Sequence, residues 1–274
     1  MSQLKQRILK LLASTDISGR HRKILQLYPN NPVYANLTYH NADHVASVLN
    51  LFEVLRKLSN QGFSKTALRN VETAIAFHDL NHSGRPDPDS LIDDEDNIGR
   101  TTSAFVDWAE ETNYPMKERL TVYQLIRATA WPRGYDGFRY IPVECEQREL
   151  VAMMQDADML WGLMPGNAEQ SMLGMWKERR AADLETGELD VFELLTKQIK
   201  FIQSYAPLSS AGRSFKNAMF VAASEAWALV SLQYQRELNI AEMVKDMSDA
   251  EVLQLAQATR AEVRQMIDAP RKPQ

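Results

Sequence analysis

The sequence predicts an all-α fold, and three observations carry that reading. Apolar residues recur at three- and four-residue intervals along most of the chain. Alternating apolar–polar runs, the mark of half-buried strands, are scarce. The periodic segments are separated by short breaker clusters such as Asn30-Asn31-Pro32, Gln61-Gly62-Phe63 and Met164-Pro165-Gly166-Asn167.

The elements follow in order. Met1 to Leu12 carries lysines but no apolar region with a cleavage site, and reads as an amphipathic helix with Leu4, Ile8, Leu11 and Leu12 on one face. After a loop over Pro29 to Thr38, a helix from about His40 to Leu58 turns Val45, Val48, Leu49, Phe52 and Leu55 inward. Ser64 caps the next helix. A polar, acidic loop over 83–97 precedes helices at Thr101 to Trp108 and Pro115 to Thr129. A helix resuming near Glu144 holds Asp156 and Asp158 inside an apolar run, where a carboxylate is costly unless paired or metal-bound. Helices at about Val191 to Tyr205 and Arg213 to Leu238 follow, and Ser248-Asp249-Ala250-Glu251 reads as a capping box that opens a last helix to about Ile267. We expect one domain over 1–238 and a C-terminal helical extension over 239–274.

Composition excludes several classes. The 274 residues are 45% hydrophobic and 24% charged, the pattern of a chain that buries a sizeable core. A net charge of −5 gives no general attraction to nucleic acid or anionic membrane. No apolar run approaches the ~20 residues of a membrane span. The one cysteine, Cys145, excludes an internal disulfide and fits a reducing, cytoplasmic setting.

Chemistry concentrates in two short stretches that hold four of the 5 histidines. In the first, Tyr39-His40-Asn41-Ala42-Asp43-His44, two histidines stand four apart. In the second, the apolar segment Val71 to Phe77 runs into His78-Asp79-Leu80-Asn81-His82, with Gly84 and Pro86 expected to stop the helix. Adjacent helical side chains point about 100° apart, so His78 and Asp79 reach one ion only from the end of a turn. His82 is expected one helical turn on, near the face of His78. A mixed imidazole and carboxylate set suits a divalent ion.

These residues carry a resemblance. Y-H-N-x-x-H followed by H-D-x-x-H-x-G resembles the HD-domain superfamily of metal-dependent phosphohydrolases, and most of all its cyclic-nucleotide phosphodiesterase branch, over roughly 34–208. The resemblance implies a helical bundle around a metal site with His44, His78, Asp79 and a distant Asp as ligands. Ala157-Asp158-Met159-Leu160 fits the context of that Asp, so Asp158 is chosen, with Asp156 as the alternative. Two divalent ions (Mn, Mg, Zn or Fe) are implied, with Asp79 between them and a metal-bridged hydroxide attacking phosphorus. His40 is implied as the general acid, held by an acidic partner for which Glu95 and Asp96 are candidates, and His82 lines the second ion's water shell. The acidic run follows His78 sooner than in the phosphodiesterases, a spacing closer to small bacterial HD proteins.

The activity this implies is hydrolysis of a nucleotide phosphodiester, cyclic or linear. The alternative is a phosphomonoesterase acting on a nucleotide or another small phosphate ester. A ligand-sensing module without turnover and a di-iron oxygenase are the other readings. Gln198 and Phe201 resemble the base clamp of the phosphodiesterases, in which a Gln binds the base edge and a Phe stacks on the ring. They stand three apart and share a helix face. The expected partner is therefore a small phosphate ester, and a terminal amphipathic helix leaves a homodimer open.

Overall fold

A computed structural model describes residues 3–15, 19–28, 37–83, 95–129, 145–181, 191–244, 248 and 251. Among them the fold is all-α. The helices are α1 (Gln3–Ala13), α2 (Gly19–Leu25), α3 (Ala42–Ser59), α4 (Lys65–Phe77), α5 (Glu95–Glu111), α6 (Met116–Arg127), α7 (Cys145–Leu160), α8 (Met175–Ala181), α9 (Val191–Ser204) and α10 (Ser210–Val244). No described helix is long and apolar enough to cross a membrane. The chain divides into two compact units, Met1–Val230 and Ser231–Gln274. In the second, the backbone N–H and hydroxyl of Ser248 both donate to the Glu251 carboxylate; the N–H bond is the half of a capping box in which the glutamate reaches back to the cap residue. The rest of the expected last helix lies outside the described residues.

In the first unit α3 is the central element. Its sequence puts Val45, Val48, Leu49, Phe52 and Leu55 on one face, and all are buried. It packs against α7, α4 and α1. α4 packs in turn on α6, and α5 on α6. Phe77, at the end of α4, meets Phe105 and Trp108 of α5 at ring-centroid distances of 5.4 and 5.2 Å, which seats that helix end in an aromatic cluster.

Helix ends decide where the histidines fall, and they differ from expectation in two places. α3 begins at Ala42, because the Asn41 side-chain oxygen accepts from the N–H groups of Asp43 (3.0 Å) and His44 (3.1 Å). His40 therefore precedes the cap, while His44 sits in the first turn. α4 ends at Phe77, well before Gly84 and Pro86, which lie outside the described residues. The turn just past it is held from α5: the Thr101 hydroxyl donates to His78 O at 3.2 Å and Leu80 O at 2.8 Å. Asn81 takes a left-handed φ of 66° and turns the chain. His82 thus reaches the site from a turn rather than from the next helical rung.

α5 begins at Glu95, inside the stretch expected as loop. α7 continues through a 3₁₀ turn at Trp161–Leu163. Beyond it the helix leading into α8 widens to a π-helical turn over Gln170–Gly174.

Candidate metal centre

The start of α3 and the end of α4 converge on the last turn of α7. His44 Nε2 stands 3.0 Å from Asp79 Oδ2 and 3.4 Å from Asp158 Oδ1. His78 Nε2 stands 3.3 Å from each of the same two oxygens. The ligand atoms of His44, His78 and Asp79 lie within 4.8 Å of one another, and all three residues are buried. This group can hold a metal ion, and Asp158 borders it.

Two observations on these atoms fit an ion. His78 Nε2 and Asp79 Oδ2 are buried and make no hydrogen bond, although each stands 3.0–3.3 Å from ring-nitrogen or carboxylate neighbours. Converging lone pairs of this kind are costly in a dry interior unless a cation or a proton lies among them. Further, His78 Nδ1 donates to Ile75 O at 2.7 Å, which fixes the tautomer and leaves Nε2 as the ligand edge. His44 is held differently. Tyr39 stacks on it at 5.3 Å, and Trp161 meets it edge-on at 4.7 Å.

Without an ion, a proton fills the gap. Burial works against a charged His78, but the Asp79 and Asp158 carboxylates outweigh it and raise its pKa to about 9. Burial also pushes Asp79 upward, yet His78, with His44 and His40, holds it well below the usual carboxylate range.

Asp156, the alternative ligand, is taken. Its Oδ1 accepts from the Tyr205 hydroxyl (2.7 Å) and Leu208 N–H (2.8 Å), and its Oδ2 from the Ser209 N–H (2.8 Å) and hydroxyl (2.6 Å). It ties α7 to the turn between α9 and α10. A Cβ on Gly212 would come within 2.2 Å of Asp156 Oδ2, so the approach requires glycine.

A second group lies beside the first: His40, His82 and Glu178 also have ligand atoms within 4.8 Å of one another and can hold an ion. The rings of His40 and His82 stack at 3.8 Å with 15° between planes. Glu178 Oε1 pairs with His40 Nδ1, and its Oε2 accepts from the N–H groups of Tyr39 (2.9 Å) and His40 (3.1 Å). Burial works against a charged Glu178, but His40 and these two N–H groups outweigh it and lower its pKa. The acidic partner sought for His40 is therefore Glu178. The side chains of Glu95 and Asp96 lie outside the described residues.

Glu178 was not singled out from the sequence. It is far along the chain, in a Lys-Glu-Arg-Arg run that gives no local signal. Its placement depends on the π-helical turn before it, which is sewn to the His40 segment. Thr38 Oγ donates to Gly174 O at 2.6 Å, and Gln170 donates to Asn41 Oδ1 at 2.8 Å. A Cβ on Gly174 would meet Thr38 O at 2.6 Å, so this approach also requires glycine.

Gln198 and Phe201 sit on α9, Gln198 half-buried and Phe201 37% exposed. The ion pairs and ring stacks that define the centre do not include them. α9 is linked to it through Tyr205, just past its end, and the Asp156 carboxylate two residues from Asp158. The sequence matches no protein-family model and no curated protein.

Proposed function

We propose that the chain is a metal-dependent phosphohydrolase of the HD type that hydrolyses a nucleotide phosphodiester. The observation that carries this reading is the pairing of two sites: a buried His44–His78–Asp79 group bordered by Asp158, and a His40–Glu178 pair alongside it. A divalent ion held by His44, His78, Asp79 and Asp158 would supply Lewis acidity and activate water as the nucleophile.

The chain's own residues divide the remaining tasks. Asp79 and Asp158 supply the negative charge, and burial keeps bulk water from competing for the ligand atoms. His40 is the proton donor to the departing oxygen, a role imidazole fills near neutral pH. Glu178, ionised and anchored by two backbone N–H groups, fixes the tautomer of His40 and stabilises its imidazolium. His82, stacked on His40, restricts the ring's rotation. Gln198 and Phe201 would hold the base, and the exposure of Phe201 supports that role over a core one. The single cysteine fits a cytoplasmic setting.

The test is a panel of cyclic nucleotides, nucleoside monophosphates and a chromogenic phosphodiester, each with Mn, Mg and Zn. Hydrolysis of a phosphodiester is expected, with Asp79→Ala losing both bound metal and turnover. His40→Ala should keep the ion at His44, His78 and Asp79 and slow turnover by ~10²–10⁴. Full turnover and metal content in Asp79→Ala, or no hydrolysis of any panel member with any ion, would reject the reading.

A further inference from the structure

We propose that His40, His82 and Glu178 form a second cation site, selective for an imidazole-preferring transition ion such as Zn²⁺, and that filling it silences His40. The silencing rests on the function proposed above; the ion binding does not.

The donor set comes first. Two imidazoles and one carboxylate make a three-ligand zinc centre that leaves a fourth position for water. The three ligand atoms already lie within 4.8 Å of one another. Ligands about 2.0–2.1 Å from a tetrahedral ion stand roughly 3.3 Å apart, so small side-chain movements close the site.

The carboxylate is prepared for the task. Glu178 spends one oxygen on the N–H groups of Tyr39 and His40, which fixes its orientation, and turns the other to His40 Nδ1. Its side chain is 5% exposed, while that of His40 is 26% exposed. The anionic ligand is therefore rigid and sheltered, and the imidazole side is open for an ion to enter.

Selectivity follows from the donor atoms. The inner group offers carboxylate oxygens from Asp79 and Asp158 with two imidazoles, which suits Mg²⁺ and Mn²⁺ as well as Zn²⁺. The outer group draws two of three donors from imidazole, which suits Zn²⁺ over Mg²⁺. Between His40 Nδ1 and Glu178 Oε1 there is room for a proton or an ion, not both. An ion there replaces the hydrogen bond that holds the acid, so excess Zn²⁺ should inhibit where excess Mg²⁺ does not.

Equilibrium dialysis of the full chain against Zn²⁺, with bound metal measured directly, tests this. Two ions are expected to bind, one tighter than the other. Glu178→Gln should weaken the looser one by roughly 10–100-fold or more and keep the tighter, and His82→Gln should do the same if Glu178→Gln fails to fold. Asp79→Ala should do the reverse. A single bound ion in the wild-type chain, or two unchanged ions in both outer variants, overturns the proposal. Turnover of a phosphodiester with Mn²⁺ is then followed as Zn²⁺ is added. Two bound zincs with no hydrolysis under any condition leave the cation site standing and remove the phosphohydrolase reading; hydrolysis with one bound ion does the opposite.

Discussion

Asp156 and Asp158 stand two residues apart on α7 and serve different ends, so Asn at each position should separate folding from ion binding. Each Asp156 oxygen accepts one backbone N–H and one hydroxyl. In Asp156→Asn the amide NH₂ must replace one oxygen, whichever way it is flipped. The hydroxyl on that side can turn and accept; the backbone N–H of Leu208 or Ser209 cannot. One hydrogen bond to a charged group is lost, about 1.5–3 kcal/mol, and a donor is left facing a donor, so a total of about 2–4 kcal/mol is expected. With a urea slope of about 3 kcal/mol per M, the unfolding midpoint should fall by roughly 0.7–1.3 M. Asp158→Asn leaves all four bonds in place and should instead lower bound metal. Chemical denaturation and metal analysis of both variants decide the matter. A wild-type midpoint in Asp156→Asn, or loss of metal there without loss of stability, would refute the division of roles.

Three further outcomes are expected. His78 has a folded pKa of about 9 against an ordinary 6.5, so its charge pairing stabilises the metal-free fold fully below pH 6.5 and is lost as pH rises through 9. An ion binding at neutral pH must expel that proton, and calorimetric heats in two buffers of different ionisation enthalpy should differ; equal heats would mean His78 is already neutral. Gly212→Ala places a Cβ against Asp156 and should cost about 1–3 kcal/mol, seen as a lower Tm, whereas an unchanged Tm would show that α10 yields freely. Phe201→Ala should raise KM for nucleotides by the loss of ~1–3 kcal/mol of stacking while sparing a small chromogenic diester; equal losses on both would point to packing.

Local spacing could single out the pairs His40 and His44, and His78 and His82 with Asp79, because a helix start and a helix end each deliver side chains through one turn of chain; the resemblance, not the spacing, chose His44, His78 and Asp79 among them as ligands. The core face of α3 was legible for the same reason, since a 3.6-residue period is visible in any window. The end of α4 was not, because the turn that follows it is held by Thr101 of α5, whose hydroxyl reaches His78 O and Leu80 O, a tertiary partner with no trace in the local pattern. Two aspartates inside one apolar run signal a need for partners but not which partners. Only the fold shows that Asp156 meets four donors and Asp158 meets two histidines. Glu178 was the least legible, because its distance from His40 along the chain spans several helices.

The π-helical turn ahead of Glu178 sets an angular phase. A π turn carries an extra residue relative to α-helix, and each residue of α-helix advances the side-chain direction by about 100°. The run from Ala168 through Ala181 is continuous, so the widened turn at Gln170–Gly174 fixes the bearing of everything after it. Closing that turn to ordinary α-helix without removing a residue would leave the extra residue unabsorbed and swing Glu178 by about 100°, away from His40. Met172, Leu173 and Trp176 are buried in that segment, so the same change would also carry apolar side chains toward water. The width of this one turn thus sets the geometry of His40 without involving any residue that touches an ion.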